Sequence, residues 1–137
     1  MNHLIAHTPG PGSDKWHRLL DHILAVAEMA RDFARPFGGD SLAYQVGLWH
    51  DVGKANPDFQ DYLRRCHADP NHKGRGPDHK AAGAVLAQRF FPPVALLVQG
   101  YHGGLSSKIG LASWLDEKNK LTVSGTQTPA IDAVALR

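Results

Sequence analysis

Nine histidines against a single cysteine set the chemistry open to this chain. Histidine is a common ligand for divalent transition ions and an acid–base group near neutral pH. His22 lies between Leu19 and Val26, His50 is followed directly by Asp51, and His79 and His102 stand apart downstream. Neutral imidazoles with one carboxylate suit Mn, Fe, Co, Ni or Zn, and the lack of paired thiolates argues against a structural zinc site. An aspartate can bridge two ions, and two ions about 3.5–4 Å apart would clamp a phosphodiester and lower the pKa of a bridging water. Lys54, three residues after Asp51, could offset negative charge developing on a phosphate oxygen. His3, His7, His17, His67 and His72 fall in settings expected to be solvated surface. Of these, His7 is the one able to fold back over the site from ahead of the first helix.

Those residues need elements to position them, and the apolar pattern is helical nearly throughout. From Trp16 to Phe37, Leu19, Leu20, Ile23, Val26, Ala27, Ala30, Phe33 and Ala34 recur at three- and four-residue steps. Ser13 or Asp14 is the expected cap, and Pro36 with Gly38-Gly39 the stop. A second helix is expected from Asp40-Ser41 through Leu42, Val46 and Trp49 to His50-Asp51-Val52-Gly53. Pro57 then suits the first turn of a third, carrying Phe59, Tyr62 and Leu63. Residues 67–78 read as an exposed loop. A fourth helix is expected from Asp78 to about Phe90, its small run Ala81, Ala82, Gly83, Ala84 allowing another backbone to come close. A fifth runs from Pro92-Pro93 through Val94, Leu97, Val98 and Tyr101 to His102-Gly103-Gly104, and a weaker sixth covers Ile109 to Lys118. The strand signal is confined to a feeble Leu121-Thr122-Val123. The expected fold is an all-α bundle with a metal site between helices, since four of them each bring a histidine to an end or an inward face.

Composition agrees with that architecture. At 137 residues the chain is sized for one domain, and 42% apolar with 20% charged residues exclude a disordered tail. No window approaches the roughly 18 consecutive apolar residues of a membrane span, and no signal pattern opens the chain. With Cys66 alone, no internal disulfide is possible. A cytoplasmic protein without membrane contact is expected. The net charge of +2 neither demands nor excludes a nucleic-acid partner.

The strings WHRLLDHILAVAEMA, GLWHDVGKANPDFQDYL, DHKAAGA and GYHGGL resemble the HD nuclease domain of the CRISPR-associated helicase-nuclease of type I systems, from about Ala6 to Leu115. The resemblance implies an HD-domain helical bundle and an antiviral endonuclease that hydrolyses single-stranded DNA. Its expected partners are a helicase domain or subunit and a guide-RNA surveillance complex. By the same resemblance His22, His50, Asp51, His79 and His102 match metal ligands, with Asp51 and Lys54 as catalytic residues. One or two divalent ions (Mn, Ni, Co, Fe or Mg) are implied as cofactors. Tyr101 stands where many members have the first histidine of a His-His pair, and the family's further downstream aspartate is matched convincingly by neither Asp116 nor Asp132. The chain is therefore expected to be one HD-type domain over 1–137, truncated at its C-terminus and poorly defined over 120–137.

A nuclease would rest on sequence-independent phosphate contacts. Arg64, Arg65, Lys73, Arg75 and Lys80 are the candidate DNA-binding residues, while Trp49 and Tyr101 are expected in the core. Two other classes compete with the nuclease. An HD phosphohydrolase acting on nucleotides would use the same ligands but prefer mononucleotides, and a catalytically weak HD module would bind a helicase or surveillance partner without turnover.

Overall fold

In the computed structural model, which describes residues 4–72, 74–104 and 106–123, the chain is an all-α bundle with one small hairpin at its start. Strand β1 (Ile5–His7) pairs antiparallel with β2 (His17–Arg18), setting Ile5 opposite Arg18 and His7 opposite His17. Helix α1 (Leu19–Ala34) follows directly, so Trp16 and His17 precede the helix instead of belonging to it. Arg18 occupies the position before its first turn. Ser13, an expected cap, turns its hydroxyl to the N–H of Lys15 within the preceding loop. Two- and three-residue strands are too short to show alternation in a sequence, so the apolar pattern carries no sign of this ladder.

A short 3-10 turn (Arg35–Phe37) and Gly38, at φ 72°, reverse the chain into α2 (Asp40–Trp49). Only glycine reaches that left-handed conformation without a Cβ penalty. Helix α1 packs against α2 in antiparallel fashion, so His22 near the start of one meets His50 at the end of the other. Along α1 the buried residues are Leu19, Ile23, Ala27 and Ala34; Leu20 and Phe33, expected on the same stripe, are exposed.

After His50 and Asp51, a 3-10 turn (Val52–Ala55) leads into α3 (Pro57–Ala68). Asn56 caps α3 by accepting the N–H of Asp58, and Pro57 takes the first helical position, where a missing N–H costs nothing. Helix α4 (Ala81–Phe90) follows Asp78, whose carboxylate accepts the N–H groups of Lys80 and Ala81 as an N-cap does, close to the expected start.

Helices α4, α5 (Pro92–Gly103) and α6 (Lys108–Val123) enclose an apolar cluster of Ala84, Val85, Ala87, Val94, Ala95, Val98 and Leu115. The first seven residues of α4 are all buried. A Cβ at Gly83 would overlap the Trp49 carbonyl, so the small run does bring α4 against the end of α2. Helix α6 continues through Leu121, Thr122 and Val123, replacing the weak strand signal there with helix. Leu97 and Tyr101 lie on the exposed side of α5. The SGTQTP segment and the Ala130–Leu136 run fall outside the described residues. Among the described residues no helix is long and apolar enough to cross a membrane.

Candidate metal centre

The end of α2 builds the centre. His50 is 2% exposed, and its Nδ1 donates to the carbonyl of Gly47, one turn back, at 2.6 Å. A carbonyl can only accept, so the Nδ1 hydrogen is fixed there and Nε2 is the nitrogen turned toward Asp51 and His22. His50 Nε2 lies 3.1 Å from Asp51 Oδ2 and 3.3 Å from His22 Nε2. His22 Nε2 in turn lies 3.0 Å from the same carboxylate oxygen. Ligand atoms of His22, His50 and Asp51 all fall within 4.8 Å of one another.

Burial holds the His22 imidazole below its ordinary pKa. The hydrogen bond and charge of Asp51 oppose that shift, and the Lys54 charge reinforces it. A lowered pKa keeps the ring neutral near pH 7, the form that ligates.

Lys54 extends from the 3-10 turn with its ammonium 2.8 Å from Asp51 Oδ2, both side chains almost fully buried. Two residues hold this turn in place. A Cβ at Gly53 would run into the carbonyl of His79, so only glycine lets the loop before α4 lie against the turn. Gln60 of α3, 2% exposed, donates to the carbonyl of Lys54 at 2.6 Å and to that of Ile5 at 2.9 Å. It also accepts the N–H of Ile5 at 2.9 Å.

Of the five expected ligands, the structure thus brings three to one point. His79 precedes α4 by two residues, and its ring packs on Phe59 with centroids 4.5 Å apart. It belongs to neither of the metal-competent trios among the described residues. The side chain of His102 lies outside the described residues.

His7, the histidine read as able to fold back over the site from ahead of the first helix, and His17, read as solvated, flank His22 with ring centroids 4.8 and 5.3 Å from it. Tyr101, read as core, is 62% exposed and meets the His50 ring edge-on at 5.3 Å. The signal for His17 was the pairing of β1 with β2, which short strands conceal, whereas the resemblance had set Tyr101 at a position of the family's His-His pair.

The expected DNA-binding residues gather less tightly. Arg64 and Arg65 are exposed on α3 and line a shallow depression with Asp58, Asp61 and Pro77, where Arg64 is 2.9 Å from Asp61. Arg75 is exposed in the following loop, Lys80 is half-buried ahead of α4, and Lys73 lies outside the described residues. The depression mixes two guanidinium groups with two carboxylates and is not a uniformly basic track.

Two imidazoles, that of His50 buried and that of His22 half-buried, converge with a buried carboxylate and fit a divalent transition ion by donor chemistry. The comparisons agree. The family model described as "HD domain" matches residues 19–133. Ribonuclease Y of Sulfurovum sp. (strain NBC37-1) is 37% identical over 87 residues, which are 61% of this chain and 14% of that protein. The chain thus spans a small part of the curated relative it matches.

Proposed function

Because the chain belongs to the HD domain family, we propose that it is a metal-dependent phosphohydrolase acting on a nucleotide phosphoester. The observation that carries this reading is the meeting of His22, His50 and Lys54 on a single oxygen of Asp51. His22, His50 and Asp51 would hold the divalent ion, whose chemistry when bound is Lewis acidity toward a phosphoryl oxygen. The Gly47 carbonyl keeps the His50 ring aligned, so the donor set is organised before substrate arrives. Lys54 places a positive charge at the carboxylate edge, where it can neutralise charge growing on the phosphate. Exposed Tyr101 beside His50 offers an aromatic face on which a base can stack.

A nuclease reading is favoured by one observation, the 37% identity to a protein named a ribonuclease. The resemblance to the type I helicase-nuclease would make the strand single-stranded DNA and the partners a helicase and a guide-RNA surveillance complex.

One panel tests both. Mononucleotides, cyclic nucleotides, a single-stranded RNA, and linear and circular single-stranded DNA are incubated with Mn, Ni, Co or Mg, alongside Asp51→Asn. Hydrolysis of mono- or cyclic nucleotides that is lost in Asp51→Asn supports the phosphohydrolase. Cutting of the circle would establish an endonuclease instead. Absence of turnover by folded, metal-loaded protein would overturn both and leave a binding module.

A further inference from the structure

We propose that His7, His17 and His22 form a second, outward-facing transition-metal site that shares His22 with the buried centre. This goes beyond the hydrolytic reading and depends on it only through His22.

The hairpin builds the site. Antiparallel pairing sets His7 opposite His17, with ring centroids 5.9 Å apart, and β2 runs straight into α1, whose first turns carry His22. One nitrogen from each ring lies within 4.8 Å of the others. Ligands around a tetrahedral ion bound at about 2.0–2.1 Å sit closer than that, and side-chain rotation closes the gap. The backbone beneath is fixed, because Gln60 hydrogen-bonds both the N–H and the carbonyl of Ile5, two residues before His7. His7 and His17 are exposed and His22 half-buried, so the trio opens to solvent and leaves a position for water or an exogenous ligand.

The donors differ from those of the buried centre in a way that selects the ion. Three imidazoles with no carboxylate favour borderline ions such as Zn, Ni, Co or Cu over Mg, which prefers oxygen. The buried trio, with its carboxylate, accepts the harder ions more readily. His22 Nε2 already faces Asp51 at 3.0 Å, so an ion on the outer trio draws on a ligand that the inner one needs. Excess Zn or Ni should therefore inhibit any activity supported by the inner ion.

The test uses Co as probe, followed by visible absorption and calorimetry on the full chain. Asp51→Asn weakens the inner centre while leaving the outer trio whole, and it should retain a Co complex with the intense absorption of low coordination. Adding His7→Ala and His17→Ala to that background should weaken Co binding by at least about tenfold. Unchanged Co affinity in the triple variant would overturn the proposal, as would an Asp51→Asn protein that folds and binds no Co. In the otherwise unaltered chain, the His7→Ala, His17→Ala pair should bind Mn as before and lose inhibition by excess Zn. Retained Zn inhibition there would also count against the shared site. Hydrolysis that survives Asp51→Asn would refute the assignment of that activity to the inner centre without touching this one.

Discussion

The Lys54 ammonium and the Asp51 carboxylate lie 2.8 Å apart inside the protein, both nearly excluded from solvent. The aspartate that would hold an ion is thus also the counter-charge of a buried lysine. Removing one member of a buried ion pair costs about 3–5 kcal/mol, since the other charge stays desolvated. Asp51→Asn should lose metal affinity and also stability, read as a lower denaturant midpoint. Adding Lys54→Met should restore much of that stability and none of the metal binding. Full stability in Asp51→Asn alone would show that the pair carries little weight.

Gln60 makes three hydrogen bonds that tie β1 and the Val52–Ala55 turn to α3. Gln60→Leu keeps the bulk and removes the partners of the Ile5 N–H, Ile5 carbonyl and Lys54 carbonyl. A loss of about 1–3 kcal/mol for each buried group left unsatisfied sets the scale. Hydrogen exchange should show the Ile5 amide opening faster than amides in α4. Unchanged protection at Ile5 would contradict the latch.

Gly53→Ala should be among the most damaging small substitutions. Its Cβ would enter the space of the His79 carbonyl, so the turn or the loop before α4 must move. Overpacking of this kind costs about 1–3 kcal/mol. Metal affinity should fall with it, because Asp51 and Lys54 flank the displaced residue. The same change at Gly10, where a Cβ meets open space, should be nearly silent and serves as the control.

Acid should loosen the contact between α6 and the start of α4 through Asp78. Partial burial pushes the Asp78 carboxyl up, but the Lys118 side chain, 2.9 Å away, and the N–H groups of Lys80 and Ala81 together hold it below its ordinary value of 3.8. A depressed carboxyl pKa means that the unfolded chain binds more protons, so the contribution is present above that ordinary value. It is lost as pH falls through the lower folded one. Urea midpoints measured between pH 7 and 3 should fall less steeply for Asp78→Asn than for the parent. Parallel curves would remove Asp78 from the acid response.

The helices were legible because each carries a periodic apolar stripe, and the His50-Asp51 pair because its types and adjacency are chemically unusual. Phe33 shows the limit. It fits the period of α1 yet is 76% exposed, since a stripe fixes a direction but not how far a neighbouring element extends to cover it. His79 matched by sequence string, but its ring packs on Phe59 and it belongs to neither metal-competent trio among the described residues. The meeting of His7 with His17 was hidden for another reason. It depends on pairing between segments too short to leave a pattern, and on Gln60, which latches Ile5 from 55 positions along the chain.

The chain joins α1 to α2 at the Arg35–Phe37 turn, and at the opposite ends, 29 positions apart in the chain, His22 and Asp51 meet through side chains alone. An ion held by both would close that span as a covalent staple does. A closure of this length is worth about 3–4 kcal/mol in chain entropy on the loop model used for disulfides. Ion occupancy and the knitting together of the hairpin's open mouth would then be a single cooperative event. Stripping the ion with a chelator would unzip the pair from the mouth toward the turn, so fraying of the first turns of α1 would report loss of the ion before the rest of the bundle responds.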